Sequence, residues 1–382
     1  ILIFKILNNK IKTLFVIPSL SRAGAEAQLV DLINGFSDER YDKTLVVFGN
    51  NLDQLEKIDT DVVNFIHIPR KSKWDLSVVK KLARVIDDNA IQIVHATLSI
   101  AALFAWMGRF ISSRTPKLVA TVHTTLNRSA KEEFWERCVY AHVLKASDKV
   151  IFVCQNQSNH WTGRYPKLNN NSVVIHNGVD TSYFSVSRSV DEFSKTRDEL
   201  GIPRSAQVLC CIAAFRPEKG HLALLSVFSR LPGKPHLVLA GDGALRSAIE
   251  NEINQLGIQD RVHLLGVVSD VRPVLDISNL SVLASTAVET FSIAMLESMS
   301  MGVPVVCSDI GGLSEAVVSG STGELFPAGD CDELFDKLSS LSANQELVEK
   351  MSLESIRSVR LQFSKDLMIK KTNDILSAQV NE

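Results

Sequence analysis

Residues 280–308 read LSVLASTAVETFSIAMLESMSMGVPVVCS, and three elements stand in that one stretch. LSVLAS (280–285) and VPVVCS (303–308) are apolar runs with the length of buried strands. Between them IAMLESMSM is built of strong helix formers. Thr290 or Ser292 supplies an N-cap, and Gly302 followed by Pro304 a stop, so the spacing predicts a helix over about 292–301. Strand, crossover helix and strand together make the unit of a parallel sheet.

The same alternation runs outward in both directions. TLFVIP (13–18), KTLVVF (43–48), IQIVHA (91–96), KLVATVH (117–123), KVIFVC (149–154) and SVVIHNGV (172–179) are strand candidates separated by helical stretches. After the mixed-charge segment FSVSRSVDEFSKTRDEL the pattern restarts with QVLCCIAAF (207–215), HLVLAG (236–241) and VHLLG (262–266), and then the quoted stretch. GGLSEAV after VPVVCS reads as a Gly-rich loop entering a helix, and GSTGELFPAGD as a hairpin-like segment. From about Glu346 the pattern is helical, with a break near Phe363. A chain of 382 residues exceeds what one core usually holds, so the restart marks a second domain. The expected fold class is α/β, two doubly wound domains over 1–185 and 186–360. A C-terminal helix, 361–382, is expected to pack back on the N-terminal domain.

Composition narrows the function classes. Hydrophobic residues make up 45% and charged residues 22%, the balance of a folded globular protein. A net charge of -2 offers no global basic field, so nucleic acid is not an expected partner. The six cysteines show no CxxC spacing, and Cys154, Cys210, Cys211 and Cys307 lie in apolar runs, as small core residues of a reducing compartment do. The opening ILIFKILNNKIK has no cleavage-site pattern, and IAALFAWMGRF from Ile100 is too short to cross a bilayer and reads as a buried helix. A cytoplasmic location is expected.

Glu289 precedes the helix in the quoted stretch and Glu297 falls in its second turn. Carboxylates accept bidentate hydrogen bonds from vicinal hydroxyls, and a helix mouth binds phosphate through its free N–H groups and dipole. A nucleotide sugar carries both kinds of group. FRPEKGH adds Arg216 and Lys219 at the end of a strand, cations able to neutralise a leaving diphosphate without proton transfer.

Glu-x7-Glu followed by MGVPVVCSDIGGLSEAV and TGELF, and preceded by NGVD, RPEKG, AGDG and LGVVSDV, closely resembles the retaining glycosyltransferases of family 4, glycosyl transferases group 1. The resemblance covers nearly the whole chain. It implies the GT-B fold, two Rossmann-like domains facing each other across a cleft, with the N-terminal one on the acceptor side and the C-terminal one binding the nucleotide sugar. It also implies roles for single residues: Glu289 at the donor sugar hydroxyls, Glu297 at the ribose, Arg216 and Lys219 at the diphosphate, and the backbone at Phe291, Ser292 and Ile293 against sugar and phosphate. In the first domain SLSRAGAEAQ resembles the glycine loop, with Gly24 near the phosphates, and His123 in TVHTT matches a strand-end histidine facing the donor sugar. The family's commoner Arg position is Ala214 here, and Arg216 stands two residues on. Ala23 precedes Gly24 where a glycine pair is usual.

The expected function is transfer of a hexose from a UDP- or GDP-sugar to a hydroxyl of a growing glycan or lipid-linked acceptor, in cell-surface polysaccharide or lipopolysaccharide synthesis. A nucleotide-sugar epimerase of the same two-domain fold is the alternative. His95 in IVHATLS stays open between a satisfied strand histidine and a residue of the acceptor cleft. RKSKWDLSVVKKLAR (70–84) carries six basic residues against one acidic, and its helix would place Lys80 and Arg84 opposite the stripe of Val78, Val79, Leu82, Val85 and Ile86. That is either a solvated face or a patch that meets a phosphorylated acceptor or makes a peripheral contact with an anionic membrane, at the cytoplasmic face of the inner membrane.

No cofactor and no metal are expected. The pairs Asp59 and Asp61, and Asp330 and Asp332, have the Asp-x-Asp spacing of another glycosyltransferase fold, yet stand away from every donor motif. With Arg216, Lys219 and the helix mouth as the neutralising charge, excess EDTA is expected to leave turnover of the preferred donor unchanged. A loss restored by magnesium or manganese would overturn this.

Overall fold

The computed structural model describes residues 10–72, 75–125, 130–186, 190–287 and 289–381. The first nine residues of the opening run and Lys73 and Trp74 of the basic stretch lie outside the described residues. The chain divides into two compact units, one running to Asn177 and resumed from Lys365, the other Gly178–Ser364.

The first unit holds a seven-stranded sheet of β1 (Ile11–Ile17), β2 (Tyr41–Val47), β3 (Val63–His67), β4 (Ile93–Thr97), β5 (Lys117–Val122), β6 (Lys149–Phe152) and β7 (Ser172–Val174), in the order β3-β2-β1-β4-β5-β6-β7. Every pairing is parallel. Side chains alternate between two buried faces, which is why the strands read as continuous apolar runs. Leu14, Val16, Val94, Leu118 and Phe152 meet the helices Ser77–Asp88 and Ser99–Ile111 on one face. Phe15, Ile17, Val119 and Ile151 meet the helix Gly24–Gly35 and the C-terminal helix Lys365–Asn381 on the other. Burying a side chain of this size contributes about 1.5–3 kcal/mol. Ser99–Ile111 buries Ala101 through Ala105, and among the described residues no helix is long and apolar enough to cross a membrane.

The second unit carries a six-stranded sheet of β8 (Val208–Ile212), β9 (His236–Ala240), β10 (Val262–Gly266), β11 (Leu280–Leu283), β12 (Val305–Ser308) and β13 (Gly323–Phe326), again wholly parallel, in the order β10-β9-β8-β11-β12-β13. The helix of the quoted stretch runs from Ile293 to Ser300, with Ser292 as its cap. A helical break falls at Phe363, between Gln345–Gln362 and the C-terminal helix.

Three readings are corrected. β3 has no counterpart among the candidates: it is an edge strand in which Asn64 and His67 interrupt the apolar run, so periodicity hides it. GELF is not a hairpin but the parallel edge strand β13, paired with β12 from Val305 opposite Gly323 to Ser308 opposite Phe326. Its turn residues mark only its entry. GGLSEAV enters no full helix, because Leu313–Glu315 is a single 3-10 turn. The Thr322 hydroxyl accepts the Val318 N–H at 2.9 Å and donates to the Ala316 carbonyl at 3.2 Å, which ends the turn.

Lys43 on β2 is buried, 3% exposed, and its ammonium satisfies the end of the first helix. Nζ donates to the carbonyls of Ile33 and Phe36, each at 3.0 Å, and pairs with Asp38 at 2.5 Å. A cation there also complements the helix dipole. Lys43→Met would leave two buried carbonyls without their donor, and is expected to lower stability by about 1–3 kcal/mol, read as a lower urea midpoint at unchanged m.

Candidate functional site

In the second unit the chain leaves β8 toward β9 and β10 on one side and returns to lay β11, β12 and β13 on the other. The loops after β8 and β11 therefore diverge at a switch point, where an open parallel sheet leaves a crevice at its carboxyl edge. Lys219 and Glu289 meet there.

Each loop is held by backbone contact. After β8, Arg216 caps a 3-10 turn, Pro217–Lys219, and Gly220 ends it in the left-handed region at φ 69°. A Cβ on Gly220 would lie 1.9 Å from the Ala284 carbonyl oxygen, so the turn rests on the end of β11. The Thr286 N–H donates to the Glu218 carbonyl at 2.8 Å and joins the two loops. After β12, Gly311 at φ 60° brings its Cα so near that a Cβ would stand 1.8 Å from the Glu289 carbonyl oxygen, and the Gly312 N–H donates to the Thr290 carbonyl at 2.7 Å. Three strand ends thus set the position of one carboxylate.

The Glu289 carboxylate accepts from Lys219 Nζ at 2.5 Å and from Ser285 Oγ at 3.0 Å on the same oxygen, Oε2. Their side chains are 21% and 10% exposed for Lys219 and Glu289, so water screens this pair less than a surface pair. Ser285 is itself fixed, its carbonyl taking the Ser308 hydroxyl at 2.6 Å. Next to the pair, Ser292 Oγ accepts the Met295 N–H at 3.3 Å, and the N–H groups of Ile293 and Ala294 in the first turn have no acceptor inside the helix. Glu297 is half-buried one turn further on. Arg216 is exposed at the same edge, whereas the Phe291 ring turns inward against Phe363, with centroids 5.5 Å apart. Lys219 and Glu289 touch; Arg216, Ser292 and Ile293 stand on the same edge; only the backbone of Phe291 is offered there. Ser285 escaped sequence reasoning, since one serine two residues past a strand has no signature.

Burial sets the remaining chemistry of this edge. His221, packed edge-on to Phe215, has its pKa pushed down to about 4 by burial, with the Lys219 charge adding to the effect. The Cys211 thiol is pushed up to about 12 by burial, so it is no nucleophile at neutral pH.

The first unit has its own switch point, between β1 and β4. After β1 the loop to Gly24 is strapped by Glu26, a buried first-turn residue whose Oε1 accepts from Ser19 Oγ at 2.9 Å and Ser21 Oγ at 2.8 Å. Gly24 opens the helix with its backbone exposed, and Ala23 before it supplies no side-chain cap. His123, just past β5, lines a pocket of about 30 Å³ with His95, Thr97, Thr121, Gln28 and Asn177. Burial holds the pKa of His123 down near 4 and is the main cause that takes His95 to about 3. His95 is 2% exposed, and thus part of this interior.

Asp61 donates its N–H to Asp59 Oδ1 within one turn, at 3.0 Å, and Asp330 caps the helix Cys331–Ala343 by accepting the Glu333 N–H at 3.0 Å. Among the described residues no three His, Cys, Asp or Glu side chains group as a metal site.

Two family models match the chain. Glycosyltransferase Family 4 covers residues 22–183 and Glycosyl transferases group 1 covers residues 192–357, so together they take in most of both units. The chain is 27% identical over 316 residues to N-acetyl-alpha-D-glucosaminyl L-malate synthase of Bacillus anthracis, covering 82% of this chain and 81% of that protein. Among solved structures, a glycosyltransferase of Rickettsia africae superposes with a TM-score of 0.86 at 22% identity, over 97% of this chain and 99% of that one. Anabaena HepE, in complex with UDP-glucose, gives 0.83 at 22%, over 96% and 99%. These likenesses establish the GT-B fold.

The glycine contacts permit a test that needs no ligand. Gly311→Ala must move the Glu289 carbonyl or abandon φ 60°, and is expected to cost about 1–3 kcal/mol, seen as a lower thermal midpoint of the purified chain. An unchanged midpoint would mean that the two loops are not packed as described.

Proposed function

The chain belongs to the group 1 glycosyl transferases, and we propose that it transfers a hexose from a nucleoside diphosphate sugar to a hydroxyl of a glycan or lipid-linked acceptor, with retention of the anomeric configuration and without a metal. The observation that carries the reading is the Lys219–Glu289 pair, held at the carboxyl-edge switch point beside the Ser292 helix mouth. A diphosphate placed on the N–H groups of Ile293 and Ala294 would draw on that helix dipole, with the exposed Arg216 and Lys219 sharing its charge. Glu289 then keeps Lys219 in place and offers its second oxygen to the sugar. Glu297 is assigned to the ribose.

In the reaction the bond from the anomeric carbon to the phosphate oxygen breaks, and its electron pair stays with the diphosphate. The acceptor hydroxyl bonds to the same carbon and passes its proton to the leaving phosphate. No side-chain nucleophile is required, in keeping with the mechanism favoured for the family. Gly24 and His123 are retained as first-unit residues of this reaction, His123 as a neutral imidazole because burial lowers its pKa. The exposed Lys80, Lys81 and Arg84 of the helix Ser77–Asp88 support a peripheral contact with an anionic membrane surface. Synthesis of a cell-surface polysaccharide or lipopolysaccharide is the proposed setting.

The test begins with thermal shift against UDP, GDP, ADP and their sugars. One base is expected to stand out, since a ligand at about 100 times its Kd adds roughly 2.7 kcal/mol. HepE in its UDP-glucose complex makes the UDP series the first to try. With the donor known, Lys219→Ala is expected to lower turnover about 100-fold or more. Glu297→Ala should weaken nucleotide binding by about 1.5–3 kcal/mol. Wild-type behaviour of both variants, or release of free nucleotide diphosphate at the same rate without acceptor, would overturn the assignment.

A further inference from the structure

β4 and β5 run side by side with Thr97 opposite Thr121 and His95 opposite Val119. Alternation therefore places His95, Thr97, Thr121 and His123 on one face of the sheet, the face whose other members, Phe15, Ile93, Val119 and Ile151, are core. Four polar side chains side by side on an apolar face are expensive to bury unless each finds a partner. One contact is direct: His95 Nε2 and Thr121 Oγ1 are 2.9 Å apart, which fixes the imidazole ring. Phe15 packs against that ring at 5.7 Å. Two atoms are left with no protein partner, His95 Nδ1 and Thr97 Oγ1, on residues that are each 2% exposed.

Both residues line the pocket that His123 lines, roofed by Gln28 of the first helix and by Met368 and Thr372 of the C-terminal helix. Its volume of about 30 Å³ exceeds the ~10–15 Å³ that one water needs, and its walls supply the two to four polar partners that keep a buried water in place. A purely apolar void would stay dry. We infer that the pocket holds an ordered water bonded to His95 Nδ1 and Thr97 Oγ1, and that through it His95 is a positioning residue for His123. The assignment of a catalytic task to His123 rests on the proposed transferase reaction; the network itself does not.

The chemistry of a neutral imidazole makes such a link directional. Burial keeps both rings uncharged at neutral pH, so each has one N–H donor and one acceptor nitrogen. Thr121 engages one nitrogen of His95 and the water the other, and the water then presents a defined donor or acceptor to the His123 ring. His123 is thereby held in one tautomer, without touching Thr97 or Thr121 for the purpose. His95 takes no part in bond breaking and meets no substrate.

The test uses the full chain with Thr97→Val, Thr97→Ser and His95→Gln, and reads three quantities. They are the thermal midpoint, kcat and KM separately, and the tautomer of His123 by long-range proton–nitrogen NMR on histidine-labelled protein, with His123→Gln giving the assignment. If the water is bound, Thr97→Val lowers the midpoint, mixes the His123 tautomers and cuts kcat about tenfold with KM within about a factor of two, while Thr97→Ser restores all three. His95→Gln shifts the His123 signals in the same way. If instead Thr97→Val raises the midpoint, as removal of an unpartnered hydroxyl would, and the His123 signals stay at their wild-type positions, the inference is overturned. Altered tautomers with unchanged turnover in both Thr97→Val and His123→Gln would uphold the network and remove His123 from the reaction.

Discussion

A parallel sheet is stable only when both of its faces are covered, and that constraint organises this molecule twice. The central strands must then be apolar on both sides, and most connections are helices that cross a face. Polar chemistry is left almost nowhere to go except the loops at the strand ends. In both units the chain reverses direction across its sheet once, between β1 and β4 and between β8 and β11, and the loops that part at the second of these points carry Arg216, Lys219 and Glu289. The sites follow from the covering of the sheets.

Within the second unit the Lys219–Glu289 pair shows how such a place is made rigid. Neither side chain is held by its own element alone. The turn bearing Lys219 rests on the Ala284 carbonyl through Gly220, and the backbone of Glu289 rests against Gly311 from a third strand end. Single charges on loops lose side-chain entropy when they pair, which is why exposed pairs contribute little. Here backbone contacts and the Ser285 hydroxyl restrict the partners before the pair forms. An anionic ligand would thus meet a positioned ammonium and a helix mouth that need not reorganise.

On one face of the first unit's sheet four polar side chains stand together. The face shared with the helix Gly24–Gly35 and the C-terminal helix contains His95, Thr97, Thr121 and His123 amid Phe15, Ile93, Val119 and Ile151. Sequence tends to place apolar residues wherever packing alone decides, so a polar group kept in such a place costs stability that must be recovered elsewhere in the fold. The low pKa values of both histidines follow from the same burial.

Much of the architecture could be read from the chain itself. Apolar runs of strand length, separated by helical stretches and restarting after a charged segment, determined an α/β protein of two units, and Ser292, Gly302 and Pro304 bounded the helix beside Glu289 to within a residue. Local signals suffice for these because propensity, caps and periodicity act over a few residues. The edge strands β3 and β13 were not legible, because Asn64 and His67 break the apolar run of one and the four-residue GELF of the other carries Glu324 between turn residues, whereas the edge strands β7 and β10 kept apolar runs. Nor could sequence show that Lys219 pairs with Glu289, seventy positions away, that Ser285 shares the same carboxylate oxygen, or that His95 faces the pocket of His123. Those contacts depend on which strands become neighbours and in what register, and a register is settled only when all the strands and their covering helices pack at once.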